Sequence, residues 1–168
     1  GGVYGEGLDA DGSGYSCDIE IAIAGFERAV EDVDAVVDHL HGQRDVDKER
    51  LVIGGVSRGG ILAIAYAGMR PNTFRGSINF NGGWLGRGCP NHEIVNPALF
   101  ERGATAGVKT LWLHGSYDQY YRISHCKGNF ERFRSAGGKG NFVAAPMGHA
   151  LMFKPALWTQ HVDQYLQS

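Results

Sequence analysis

Gly55-Val56-Ser57-Arg58-Gly59 sets one serine between two glycines. A chain that turns sharply from a strand into a helix needs that spacing, and the turn lifts the serine hydroxyl above the sheet. Such a hydroxyl attacks an acyl carbon once a base removes its proton. The N–H that follows, that of Arg58, then points to where the negative oxygen forms. With 26 glycines among 168 residues, the five-residue pattern is weak evidence by itself. Its setting strengthens it: the short apolar run Leu51-Val52-Ile53 precedes it, and residues 61–69 form a longer apolar stretch closed by Pro71. The expected structure is strand, tight turn and buried helix. Phosphate binding at the helix N-terminus is the competing use of such a turn, but the lysine and spacing of a P-loop are missing.

A nucleophilic serine needs a base, and the base needs a partner that fixes its tautomer. Where the serine sits on a strand-to-helix turn, the chain order is serine, acid, histidine. Beyond Ser57 the carboxylates are Glu93, Glu101, Asp118, Glu131 and Asp163. Asp118 alone lies just past a strand, in Leu111-Trp112-Leu113-His114-Gly115-Ser116-Tyr117-Asp118, whereas Glu131 and Asp163 fall on helices. Among the later histidines, His125 and His161 lie in helical stretches and are read as surface or packing residues. His149 follows the last strand, in Ala145-Pro146-Met147-Gly148-His149-Ala150. Ser57, Asp118 and His149 are therefore expected at the ends of three successive β–loop–α units. Trp84, Tyr117, Tyr120, Tyr121 and Met147 sit on loops of the same edge and could line an acyl or aromatic pocket, though each would serve equally in packing. Arg58, Arg87 and Arg122 could meet a substrate carboxylate, although arginines on loops are ordinarily solvated.

The elements that must hold these residues follow from hydrophobic periodicity. Ile19, Ile23, Phe26, Val30, Val33, Val37 and Leu40 recur at alternating spacings of four and three, which predicts one amphipathic helix ending near Gly42. Its opposite face carries Glu27, Glu31, Asp32, Asp34 and Asp38 and reads as a solvated face rather than a metal site. Residues 77–80, 110–114 and 141–145 read as further strands, and 123–133 and 157–166 as helices. Short buried strands alternating with helices predict an α/β fold, a three-layer sandwich around a mostly parallel sheet, with ligands at the carboxyl ends of the strands. Residues 1–18 read as loop. The length fits a single domain spanning 1–168.

With 16 Lys+Arg against 18 Asp+Glu, the net charge of -2 does not point to nucleic acid or an anionic membrane. No apolar run approaches a membrane span, and the first residues lack a signal peptide's pattern, so the chain reads as soluble. It starts without methionine, and any export signal would already have been removed, which leaves the compartment open. The histidines show neither HExxH nor cysteine-pair spacing, so neither a metal nor any other cofactor is expected. For Cys17, Cys89 and Cys126, buried or free thiols are preferred over a Cys17–Cys89 bridge.

The segments GVSRGG, KTLWLHGSYDQYY, SAGGKG and FVAAPMGHALMF, in this order and setting, resemble the carboxyl-terminal part of an α/β-hydrolase, most of all its dienelactone hydrolase-related branch. The resemblance covers nearly everything from Ile19 onward. It implies Ser57 as nucleophile, Asp118 as acid and His149 as base, and a small ester or acyl compound as substrate. The founding dienelactone hydrolases carry a cysteine where this elbow has Ser57, so their lactone specificity does not carry over. Two other functions compete: a serine peptidase of the prolyl-oligopeptidase type, and a non-catalytic binding module derived from a hydrolase. The fold usually has about eight strands, and the four found here match the last four by resemblance. The first strands are expected to be lacking, and with them the second oxyanion donor, which comes from the loop after the third strand. The strand Leu51-Val52-Ile53-Gly54 would then expose an apolar edge, to be covered by a missing amino-terminal half or by a second copy in a homo-oligomer.

Overall fold

The computed structural model describes residues 16–105 and 107–168. Most of the expected loop over 1–18 lies outside the described residues. At its end Asp18 caps the first helix, its carboxylate accepting the Ile21 N–H at 3.1 Å. That helix, α1 (Ile19–Gly42), buries Phe26, Val30 and Val37, as the apolar spacing requires. Its acidic face is not wholly solvated. Asp34 accepts from Arg70 Nη2 at 2.7 Å, Arg70 Nε at 2.9 Å and Tyr66 Oη at 2.7 Å, and Glu27 pairs with Arg102. The bonds from Arg70 hold the Asp34 carboxyl below its usual range. No cluster of potential metal ligands occurs among the described residues.

The remaining elements are β1 (Val52–Val56), α2 (Arg58–Met69), β2 (Gly76–Phe80), α3 (His92–Glu101), β3 (Lys109–Gly115), α4 (Ile123–Ser135), β4 (Lys139–Ala145) and α5 (Thr159–Gln167). The four strands pair in the order β1-β2-β3-β4, all parallel, with Val52 opposite Gly76, Gly76 opposite Lys109, and Lys109 opposite Lys139. Right-handed crossovers between sequential parallel strands put α2, α3 and α4 on one face. There Ile61, Ile64, Leu99, Phe100 and Phe133 share a core with Trp112 and with Phe26 of α1. On the other face Ile78, Phe80, Leu111 and Leu113 are covered by Leu151, Trp158 and Val162. The result is the expected three-layer sandwich, with strand ends aligned so that the loops after the strands meet at one edge. β2 is buried along its length, while β1 is a half-buried edge strand.

In its helices and cysteines the structure departs from the sequence reading as follows. α3 was not foreseen because Pro97 stands inside it and Asn96 interrupts its apolar face; Val95, Leu99 and Phe100 nevertheless anchor it. The last helix starts at Thr159, after two 3-10 turns at Leu151–Phe153 and Pro155–Leu157. Cys17 and Cys89 form a disulfide, contrary to the preference for free thiols, while Cys126 is free and buried. Packing of α1 against the loop before α3, where Trp84 Nε1 donates to the Ala22 carbonyl at 2.8 Å, brings the two cysteines to a Cα separation of 5.1 Å across 72 residues. No local pattern reports a contact of that span.

Constraining a loop of 72 residues stabilises the fold by roughly 4 kcal/mol in the chain-entropy picture. Cys89→Ser is therefore expected to lower the urea midpoint clearly. Burial pushes the Cys126 thiol up to about 12, so iodoacetamide at pH 8 should leave the folded chain unmodified and add a single adduct, at Cys126, after unfolding without reductant. Three adducts under that condition would show that the bridge does not form.

Candidate active site

Ser57 occupies the turn between β1 and α2 with φ 57° and ψ −121°, a strained left-handed conformation for a residue with a side chain. Four backbone hydrogen bonds hold it there. Its N–H donates to the Phe80 carbonyl at 2.9 Å, and its own carbonyl accepts from Gly60, Ile61 and Gly83 at 3.0, 3.3 and 3.2 Å. The chain crosses itself so closely that a Cβ on Gly55 would strike the Gly59 carbonyl and one on Gly60 would strike the Asn79 amide. At Gly59 the space beside the Cα is open. Its backbone is what a side chain at Gly55 would strike. Arg58 is the first residue of α2; its Nε donates to the Trp84 carbonyl at 3.2 Å and its guanidinium lies 4.7 Å over the Trp84 ring.

Asp118 follows β3 and is buried. Its Oδ1 accepts the N–H groups of Tyr120 at 2.7 Å and Tyr121 at 3.1 Å, and its Oδ2 meets His149 Nδ1 at 2.8 Å. A carboxylate only accepts, so Nδ1 carries the hydrogen and Nε2 is the acceptor of the neutral ring. The Tyr120 ring meets the imidazole edge-on at 4.7 Å.

Asn81, at the end of β2, escaped the sequence reading. It is fully buried with φ 48°. Its Oδ1 accepts the Gly115 N–H at 2.6 Å, and its Nδ2 donates to the carbonyls of His149 at 2.8 Å and Gly148 at 3.3 Å. One amide thus ties the segment carrying Asp118 to the segment carrying His149. The available signal was an asparagine between a strand and two glycines, a place suited to positive φ.

Ser57, Asp118 and His149 lie at the ends of β1, β3 and β4. The three units are not successive, because β2 and its Asn81 stand between the first two. The Ser57 hydroxyl pairs at 3.5 Å with Tyr121 Oη and makes no hydrogen bond to His149. Tyr121 spends its proton on the Gly83 carbonyl at 2.7 Å, so Ser57 is the donor in that pair. Burial pushes the Tyr121 phenol up to about 12, which keeps it protonated. Ser57, Arg58, Trp84, Tyr120, Tyr121 and His149 line one cavity of ≈ 550 Å³, with the disulfide in its wall. Tyr117 and Met147, also expected there, are not among its lining residues. Tyr117 is 72% exposed, and Met147 packs against the opposite face of the sheet. His125 and His161 sit in α4 and α5, and neither lines this cavity.

A family model described as serine aminopeptidase, S33, matches residues 2–85, half of the chain. The chain belongs to this family of α/β-hydrolases. Solved structures agree with the fold. SOBER1 from Arabidopsis thaliana superposes with a TM-score of 0.60 at 19% identity, over 92% of this chain and 67% of that one. Esterase PE8 does so with 0.61 at 22%, over 84% and 60%, and acylaminoacyl peptidase from Pyrococcus horikoshii with 0.57 at 14%, over 74% and 24%. The chain spans 65 to 67% of SOBER1's length. No curated protein sequence matches it. No helix among its described residues is long and apolar enough to cross a membrane.

Removing the Asn81 amide leaves the buried Gly115 N–H without its acceptor and frees two carbonyls. Asn81→Ala is expected to cost about 2 kcal/mol in urea unfolding. His114, at the end of β3, is 1% exposed and stacks 5.0 Å from Phe142; burial pushes its pKa down to about 3. The unfolded chain protonates this histidine near pH 6.5 and the folded chain only near 3. Its contribution is therefore whole above pH 6.5 and lost as pH falls toward 3, at up to about 1.4 kcal/mol per pH unit. Urea titrations between pH 6.5 and 4.5 should show that slope, reduced in His114→Gln; an equal slope in both proteins would contradict the assignment.

Proposed function

We propose that the chain carries the catalytic residues of a serine hydrolase that cleaves a carboxylic ester or related acyl compound, as in the dienelactone hydrolase-related branch, with Ser57 on a nucleophile elbow. The observation that carries this reading is the 2.8 Å contact of His149 Nδ1 with Asp118, beside a cavity that His149 and Ser57 both line. That contact leaves Nε2 as the base. Rotation of Ser57 about χ1 would exchange the long bond to Tyr121 for one to Nε2, a tightening expected once substrate fills the cavity. Ser57 Oγ then bonds to the acyl carbon while its proton passes to His149, and the Arg58 N–H at the start of α2 stabilises the oxyanion. The carbon–oxygen bond to the alcohol breaks as His149 returns the proton to that oxygen. Water, deprotonated by His149, then attacks the acyl-enzyme and releases the acid and Ser57. Asp118 holds the imidazole tautomer throughout.

Among the described residues β1 is paired on one side only, and a further strand on its other edge, from a longer protein or a second copy, would bring the second oxyanion donor. One absent donor costs about 10² to 10³ in turnover, so esterase activity of the 168-residue chain alone is expected to be weak. A serine peptidase is the second reading, favoured by the family's description and by likeness to acylaminoacyl peptidase.

Intact mass after incubation with a fluorophosphonate reads the nucleophile without requiring turnover. The expected result is one adduct on the wild type and none on Ser57→Ala. A folded wild type that takes no adduct would favour a non-catalytic binding module. Aminoacyl 4-nitroanilides separate the two readings: an esterase leaves them intact, whereas a peptidase releases 4-nitroaniline.

A further inference from the structure

Next to the cavity at Ser57 lies a second one of ≈ 450 Å³, and Tyr120 and Tyr121 line both. Its other walls are chemically unlike the first. Arg87 and Arg122 both line it, and neither has a carboxylate partner among the described residues. The single acid there, Glu93, is 77% exposed and stands 3.9 Å from His92 Nε2. Two guanidiniums against one outward-facing carboxylate leave the cavity electropositive.

The histidines add a donor. Asn96 Oδ1 accepts the N–H groups of Trp84 and Leu85, both at 2.9 Å, so its Nδ2 must be the donor toward His125 Nε2 at 3.1 Å. His125 Nε2 is therefore an acceptor, and the hydrogen of the neutral ring sits on Nδ1. That Nδ1–H has no protein acceptor among the described residues. His92 is fixed in the complementary way, its Nδ1 donating to the Cys89 carbonyl at 2.8 Å, with its ring 4.9 Å from that of His125. Ser124, in the first turn of α4, also lines the cavity, and that helix has no side-chain cap.

We propose that this second cavity binds an anionic group, carboxylate or phosphate, carried by the acyl substrate whose carbonyl is presented to Ser57. Arg87 and Arg122 supply the charge, and His125 Nδ1–H and the Ser124 hydroxyl supply directed donors. Tyr120 and Tyr121, which line both cavities, would contact the segment between this anion and the acyl carbon. The substrate is thereby a short dicarboxylate monoester, or a phosphate-bearing acyl compound, rather than a neutral ester. This specificity rests on the reading of Ser57 as nucleophile, but the binding step is measurable without catalysis.

Ser57→Ala, which cannot turn over, is titrated with monomethyl glutarate, dimethyl glutarate and inorganic phosphate while the imidazole resonances of His92 and His125 are followed by NMR. Monomethyl glutarate is expected to shift the His125 resonances and to bind at least tenfold more tightly than the dimethyl ester. The pair Arg87→Gln with Arg122→Gln should abolish that preference. Equal affinity for the two esters, or a preference that survives both substitutions, would overturn the proposal. So would a response to phosphate without one to monomethyl glutarate, since the cavity would then take a free anion only. Fluorophosphonate labelling of the wild type is read separately. Discrimination between the esters with no labelling would sink the serine-hydrolase reading and leave an anion site standing.

Discussion

The sheet edge that carries Ser57, Asp118 and His149 is arranged around the backbone of Ser57. A residue with a side chain at φ 57° costs of order 1–3 kcal/mol, and it persists because its N–H and carbonyl are held by β2, by the first turn of α2 and by the loop at Gly83. Those bonds form only if β1, β2 and α2 approach closely, and the lack of side chains at Gly55 and Gly60 allows this. The same Gly83 that donates to Ser57 accepts from Tyr121. The hydroxyl of Ser57 and the wall of its cavity are therefore set by one loop.

A second amide extends this arrangement to the far side of the site. Asn81 leaves β2 just beyond Phe80, the residue that accepts from Ser57, and reaches forward to Gly115 and His149. Through it, the strand that fixes Ser57 also fixes the loops bearing Asp118 and His149. Protonation states follow from the same packing. Both oxygens of Asp118 are taken up, by two N–H groups and one imidazole, which leaves no ambiguity about the His149 tautomer. Tyr121 and His114 are held neutral by burial. The largely apolar cavity and the electropositive one share Tyr120 and Tyr121 as lining residues.

Much of this was legible in the residues. Parallel strands show as short apolar runs, the turn at Ser57 as a small-residue motif between strand and helix, and Asp118 and His149 as the carboxylate and imidazole lying just past strands. Those signals are local, and they brought Ser57, Asp118 and His149 to one edge. What was not legible depends on contacts distant in sequence. The Cys17–Cys89 bridge joins α1 to the loop before α3, Asn81 acts through carbonyls more than 60 residues away, and α3 is hidden by Pro97. Side-chain direction was equally hidden: Met147 and Tyr121 both flank strand ends, yet one packs beneath the sheet and the other lines the cavity.

The central claim is that Ser57, His149 and Asp118 act as one unit. The rate at which a fluorophosphonate modifies Ser57 measures this directly when compared among wild type, His149→Ala, Asp118→Ala and the double variant. If the residues form one unit, each single change slows modification by a factor on the order of 10³ or more, and the double variant is no slower than His149→Ala. Losses that multiply in the double variant, or a rate indifferent to His149, would contradict it.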